Sequence, residues 1–210
     1  MVANSISDIN HSIDGGLYAE LIMNRAFQAT NLSTATVAPW YPLGGASLTI
    51  DTADPLSSAL PFSVKVSGPS GQIGLANPGY YGMEVSPNVY SGSFYVKGTY
   101  KGSMTLALVS TTGTAQTFAS TQIPVSSSSG QWTQITYQLT PPAPAPTVNN
   151  SLALTFDSAT ATDGSLNFNL ISLFPPTYDS RPNGMRIDLM NVLAGLNPSF
   201  LRCKSHPRTT

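Results

Sequence analysis

Between about residue 37 and residue 174 the chain is a succession of short runs rich in Val, Ile, Thr, Tyr and Phe, each soon interrupted by Gly, Pro, Asn or Ser. This spacing leaves no room for helices of ordinary length. It specifies many short strands joined by turns, the pattern of a β-sandwich or barrel. The runs place strands at 47–50, 62–66, 80–84, 92–97, 103–110, 117–123, 132–139, 152–156 and 166–174. The stretch PPAPAPTVNN over 141–150 interrupts them as a loop, because proline supplies no ladder donor to a central strand. No internal repeat is visible.

The flanks change period. Over 14–27 the apolar residues Leu17, Leu21, Ile22 and Ala26 recur every three or four positions, with Asp14 available to cap, which predicts one amphipathic helix. Over 183–196 Met185, Leu189, Val192, Leu193 and Leu196 repeat the pattern, and Gly195 and Pro198 supply stop signals. Residues 199–202 can then start a strand.

Composition narrows the function classes. Hydrophobic residues make up 41% of the chain, enough for a core, while charged residues make up only 9%, well under the ~25% of ordinary domains. The net charge is −1 without a run of either sign, so nothing draws the chain to nucleic acid or to an anionic membrane surface, and neutral polymers such as polysaccharides fit better. No apolar run approaches the ~18 residues that span a bilayer, and MVANSISD has neither the basic nor the apolar region of an export signal. Three Asn-X-Ser triplets begin at Asn10, Asn31 and Asn149. The single cysteine, Cys203, forms no internal disulfide and no metal-binding pair.

Two stretches carry a family likeness. DINHSIDGGLYAELIMNRAF, residues 8–27, resembles the opening of the fungal-type α-L-arabinofuranosidases of glycoside hydrolase family 51, and SLFPPTYDSRPNGMRIDLMNVLAGLNPSFLR, residues 172–202, resembles the place where that family's barrel resumes after an inserted β-domain. Between them GYYGMEVSPNVYSGSFYVKGTYKGS, residues 79–103, resembles carbohydrate-binding modules of the family 4/9 kind. The resemblance implies a mainly β chain: a jelly-roll β-sandwich flanked by two helices that belong to an incomplete (β/α)8 barrel. The implied domains are 1–33, the start of the barrel; 34–175, the sandwich; 176–202, where the barrel resumes; and 203–210, an atypical disordered tail, CKSHPRTT, where the family would continue into a Phe-Pro-Gly-Gly-Asn loop. The implied activity is release of terminal non-reducing α-L-arabinofuranosyl residues from arabinoxylan or arabinan, outside the cell. The partners would be such a polysaccharide and, within the full-length enzyme, the rest of the barrel.

Chemistry is sparse in these 210 residues. A retaining glycosidase works with two carboxyl groups ~5–5.5 Å apart. The chain has two glutamates, Glu20 and Glu84, in different regions, and no Asn-Glu dipeptide of the kind that holds the family's acid/base. No residue is therefore assigned a catalytic role. Ser7 stands where the family has a sugar-binding glutamate, ahead of Asp8. Asn10 and His11 match the family motif as groups at the rim of the sugar pocket, or else bond locally within a loop. On the sandwich, sugars would stack on aromatic faces. Trp40 between prolines, and the Tyr80–Tyr81 pair split between strand faces, are the substrate-binding candidates, among Tyr41, Tyr90, Tyr95, Tyr100 and Trp132. No cofactor is implied. Modules of this kind often hold calcium, but Asp157 and Asp163 fall short of the six to eight oxygens that ion takes, and no metal is assigned.

Overall fold

The computed structural model describes residues 3–6, 13–28, 34–113, 116–197 and 200–203. Its strands are β1 (Ala3–Ile6), β2 (Tyr41–Leu43), β3 (Ser47–Asp51), β4 (Ser63–Ser67), β5 (Gln72–Asn77), β6 (Tyr90–Lys97), β7 (Tyr100–Ser110), β8 (Thr117–Ser127), β9 (Thr133–Leu139), β10 (Asn150–Asp157), β11 (Ser165–Phe174) and β12 (Phe200–Cys203), with one α-helix, α1 (Ile187–Gly195). They divide into two compact units, Leu21–Pro175 and Met1–Glu20 with Pro176–Thr210.

The larger unit is a sandwich of two five-stranded antiparallel sheets, ordered β2-β5-β10-β7-β8 and β3-β4-β11-β6-β9. Successive strands pass repeatedly between the sheets, so each sheet is built from strands distant in sequence. Alternation explains the packing. In β10, Leu152, Leu154 and Phe156 face the core, and in β7 their partners are Leu108, Leu106 and Met104. Five rings run through the interior: Tyr100 to Phe156 at 5.9 Å, Phe156 to Phe168 at 5.8 Å, Phe168 to Phe94 at 6.0 Å and Phe94 to Tyr137 at 6.2 Å. The step from Phe156 on β10 to Phe168 on β11 crosses from one sheet to the other. Aromatic contacts of this kind contribute ~0.5–1.5 kcal/mol beyond area burial. The two terminal hydroxyls are satisfied inside, Tyr100 donating to the Ser103 carbonyl at 2.9 Å and Tyr137 to that of Ser172 at 2.8 Å. Gly92 lies opposite Tyr137 in the ladder and leaves room for its ring, where a Cβ would collide with the phenol.

The helix expected over 14–27 does not form. A single π turn covers Ile13–Leu17, and the chain beyond is extended and then turns. Gly15 has φ 79°, Asn24 53° and Phe27 58°, and none of these is helical. The segment after Glu20 meets a stronger competitor than its own propensity. Leu21 N donates to the Leu173 carbonyl at 3.0 Å and Ile171 N to that of Arg25 at 3.2 Å, so residues 21–25 bond to β11 beyond its pairing with β4. Ile22 and Phe27 enter the sandwich core. The sandwich unit accordingly begins at Leu21, where the sequence reading placed residues up to 33 with the barrel.

In the smaller unit β1 and β12 pair in parallel, Ala3 with Phe200 through Ile6 with Cys203. Cys203 thus lies in a strand rather than in a foreign tail; residues 204–210 lie outside the described residues. The helix expected over 183–196 forms as α1, its start delayed by Asn183 at φ 52° and by extended Arg186, and its end marked by Asn197 at φ 44°. Tyr18 and Met185 form an antiparallel bridge, supported by Ala19 N to Gly184 O at 3.1 Å and Arg186 N to Leu17 O at 2.9 Å. No residue of α1 is buried, and Val192 and Leu196 are 64% and 53% exposed.

Candidate functional site

The sandwich's aromatic residues separate into interior and surface groups. Trp40, the expected ligand platform, is 5% exposed and belongs to the core. Its indole nitrogen donates to the Asn24 carbonyl at 3.0 Å, and its ring meets Phe27 at 5.6 Å. Asn24 in turn donates to the Thr36 and Ala38 carbonyls at 2.8 and 2.7 Å. Trp40 is therefore a clasp between the entering segment and the sandwich, and no ring face remains for a sugar. The Ala38–Pro39 peptide just before it is cis. Tyr90 and Tyr100 are likewise interior.

Tyr80 and Tyr81 do not lie in a strand. They occupy a turn after β5, between Gly79 at φ 75° and Gly82 at φ 89°. Asn77 accepts from Gly79 N at 2.9 Å, and Met83 N donates to the Val148 carbonyl at 2.7 Å, so both ends of the turn are fastened. Tyr80 is half-buried, whereas Tyr81 is 73% exposed. The pair does present one ring to solvent, through turn geometry rather than through strand alternation.

A second surface group lies on the outer face of the sheet containing β6 and β9. Alternation from buried Phe94 and Val96 sends Tyr95 outward, opposite Gln134. Lys97 on the same face is paired with Asp54. Asn167 donates to Asp51 at 2.7 Å and to Ser63 at 3.2 Å, tying β3, β4 and β11 together. The Asn167 amide, followed by Ala53 N–H, holds the Asp51 carboxyl below the usual carboxylate range against the opposing cost of burial. Trp132, half-buried before β9, has an indole N–H without an acceptor among the described residues. The half-buried Tyr95 ring and the exposed Gln134 amide can stack on and hydrogen-bond a neutral ligand, but they supply no nucleophile and no proton-transfer pair.

Elsewhere, Glu20 is 3% exposed and Glu84 is exposed. They fall in different units. Asn10 and His11 lie outside the described residues, in the segment after β1. No group of three or more His, Cys, Asp or Glu that could hold a metal ion occurs among the described residues.

Known proteins align with both units at once. The chain is 40% identical over 93% of its length to α-L-arabinofuranosidase A of Aspergillus kawachii, and 39% identical over the same span to that of Aspergillus niger. An arabinose-bound MgGH51 α-L-arabinofuranosidase structure superposes on 94% of the chain with a TM-score of 0.84 and 39% identity. The chain is a relative of the fungal family 51 α-L-arabinofuranosidases. It spans about 31% of the length of those Aspergillus enzymes and 33% of the structurally aligned chain. A putative sugar-binding protein of Bacteroides thetaiotaomicron matches 74% of the chain at a TM-score of 0.52 and 15% identity, a likeness of fold alone, and 99% of that protein is covered. No protein-family profile matches the chain.

Proposed function

We propose that this chain supplies the N-terminal region of an extracellular α-L-arabinofuranosidase, which releases terminal non-reducing α-L-arabinofuranosyl residues from arabinoxylan or arabinan. The observation that carries the reading is the parallel pairing of β1 with β12. Parallel neighbours need a crossover connection, and here the sandwich and α1 both lie between them in sequence. This is the arrangement of a barrel whose first two strands are separated by an inserted domain. The exposed apolar side chains of α1 support it, since a barrel helix buries such a stripe against its sheet.

In barrel enzymes the chemistry is built at the C-terminal ends of the strands. Asn10 and His11 follow the C-terminal end of β1, which favours them as rim groups of the sugar pocket. Tyr81 is the sandwich's own proposed sugar contact. The paired carboxyl groups that would protonate the leaving oxygen and form the glycosyl intermediate would come from the remainder of the barrel, the chain's intramolecular partner. A free carbohydrate-binding module is the weaker reading, because the likeness to the arabinofuranosidases extends through both units.

A chimera tests the proposal: residues 1–202 joined to the complementary C-terminal two-thirds of the Aspergillus niger relative. The chimera is expected to hydrolyse an aryl α-L-arabinofuranoside, and the 210-residue chain alone to show no turnover above buffer. A soluble, folded chimera without activity would overturn the assignment.

A further inference from the structure

We propose that Asn149 is an N-glycosylation site, and that Ser151 is present to serve it. Asn149, Asn150 and Ser151 form an Asn-X-Ser triplet with no proline between. Of the three such triplets it is the one whose surroundings are described, since Asn10 and Asn31 fall outside the described residues. Asn149 sits at the exposed end of the proline-rich loop, one residue before β10. Its backbone is held: the carbonyl accepts from Thr111 N at 2.8 Å and from the Thr111 hydroxyl at 2.7 Å. Asn150 points the other way, buried, with its amide on the Met83 and Thr147 carbonyls at 2.8 and 2.6 Å. The Asn149 amide is left exposed, with no hydrogen bond among the described residues. An attached oligosaccharide would project into solvent without disturbing either sheet.

Ser151 supplies the independent observation. It is fully buried in β10, and its hydroxyl has no hydrogen-bond partner among the described residues. A buried hydroxyl without a partner costs desolvation free energy that alanine would not. Two positions along on the same face of the same strand stands Ala153, flanked by Ala76 and Ala107 on the neighbouring strands. The folded sheet thus accepts alanine on this face and derives nothing visible from the hydroxyl. Transfer to an asparagine that precedes a serine by two residues uses that hydroxyl before the sheet closes over it. In the transfer the Asn149 amide nitrogen bonds to the anomeric carbon of a lipid-pyrophosphate-linked oligosaccharide. The anomeric C–O bond to the pyrophosphate breaks, the lipid pyrophosphate leaves with the bonding pair, and the amide gives up one proton.

The proposal assumes passage through a secretory pathway, as the extracellular reading does, and the test imposes that route so that the two can fail separately. The full 210-residue chain is secreted from yeast behind a cleavable leader. It is then deglycosylated with a peptide N-glycosidase in heavy-oxygen water, which marks each formerly glycosylated asparagine as labelled aspartate. Label is expected at Asn149 and is expected to vanish in both Asn149→Gln and Ser151→Ala. Unlabelled Asn149 in the secreted wild type would overturn the proposal. The second readout is made on bacterial, unglycosylated protein: Ser151→Ala is expected to keep or raise the unfolding midpoint. A clear fall in that midpoint would show that the folded structure itself retains the serine, and the assigned reason for Ser151 would be lost.

Discussion

The sandwich and the terminal unit obey the same physical rules with opposite results. In the sandwich, strands distant in sequence bury one another's apolar faces, and a line of five rings joins its two sheets. In the terminal unit, beside a two-stranded parallel sheet, the nine-residue helix α1 leaves Ile187 and Val192 in water. Two strands are too few for an independent sheet. A closed core makes a stable body, while the terminal unit has no comparable core among its described residues.

The sharpest way to break this comparison is to delete matched side chains in both units. Phe168→Ala removes the ring at the crossing between sheets and is expected to cost about 3–5 kcal/mol in chemical denaturation. Val192→Ala on α1 is expected to stay within about 0.5 kcal/mol of wild type. Equal losses would mean that α1 is as firmly packed as the sandwich. Smaller effects come from glycine. Gly92→Ala forces a Cβ against Tyr137 and the Ser172 carbonyl and should destabilise by about 1–3 kcal/mol. Gly195→Ala, at an open position in the last turn of α1, should instead gain roughly 0.5–1 kcal/mol through lower backbone entropy in the unfolded chain. A loss of helical circular dichroism in Gly195→Ala would show that this end of α1 is constrained by something other than its own backbone.

Acid separates the units more finely. Asp51 is held low chiefly by the Asn167 amide, across strands distant in sequence; Asp188 is held low chiefly by Arg186, two residues away, with a 2.5 Å contact. A carboxyl whose folded pKa lies below its unfolded value of about 4 contributes stability that is present above that value and lost as pH falls through the folded one. Asp51→Asn should therefore flatten the fall in stability below about pH 4. Asp188→Asn should flatten that limb less, because its exposed pair with Arg186 is screened by solvent, and a reversal of the two would contradict the cross-strand role of Asp51. Least in stability is Tyr81→Ala, expected to stay within about 0.5 kcal/mol of wild type while abolishing weak retention of the chain on arabinoxylan in affinity electrophoresis. Unaltered retention would remove Tyr81 from the surface assigned to sugar.

Much of this architecture is written in local pattern. Alternation and turn residues mark most sandwich strands to within a few positions, and proline keeps 141–149 out of the sheets, because those signals act on the backbone wherever it lies. The helical period over 183–196 likewise yields α1. Residues 14–27 carry the same period and form no α-helix, because β11 offers unpaired backbone groups that no local signal reveals. β5, whose Gly74 and Asn77 resemble turn residues, becomes a strand between β2 and β10 for the same non-local reason. The sequence alone determined which side chains could stack, titrate or be modified, and that no catalytic carboxyl pair could be named among them. Only the tertiary structure decided that Trp40 faces inward, that Tyr81 faces outward, that the Ser151 hydroxyl is stranded, and that β1 finds β12 across nearly the whole chain. Burial and strand pairing depend on which distant residues meet, and periodicity carries no information about that.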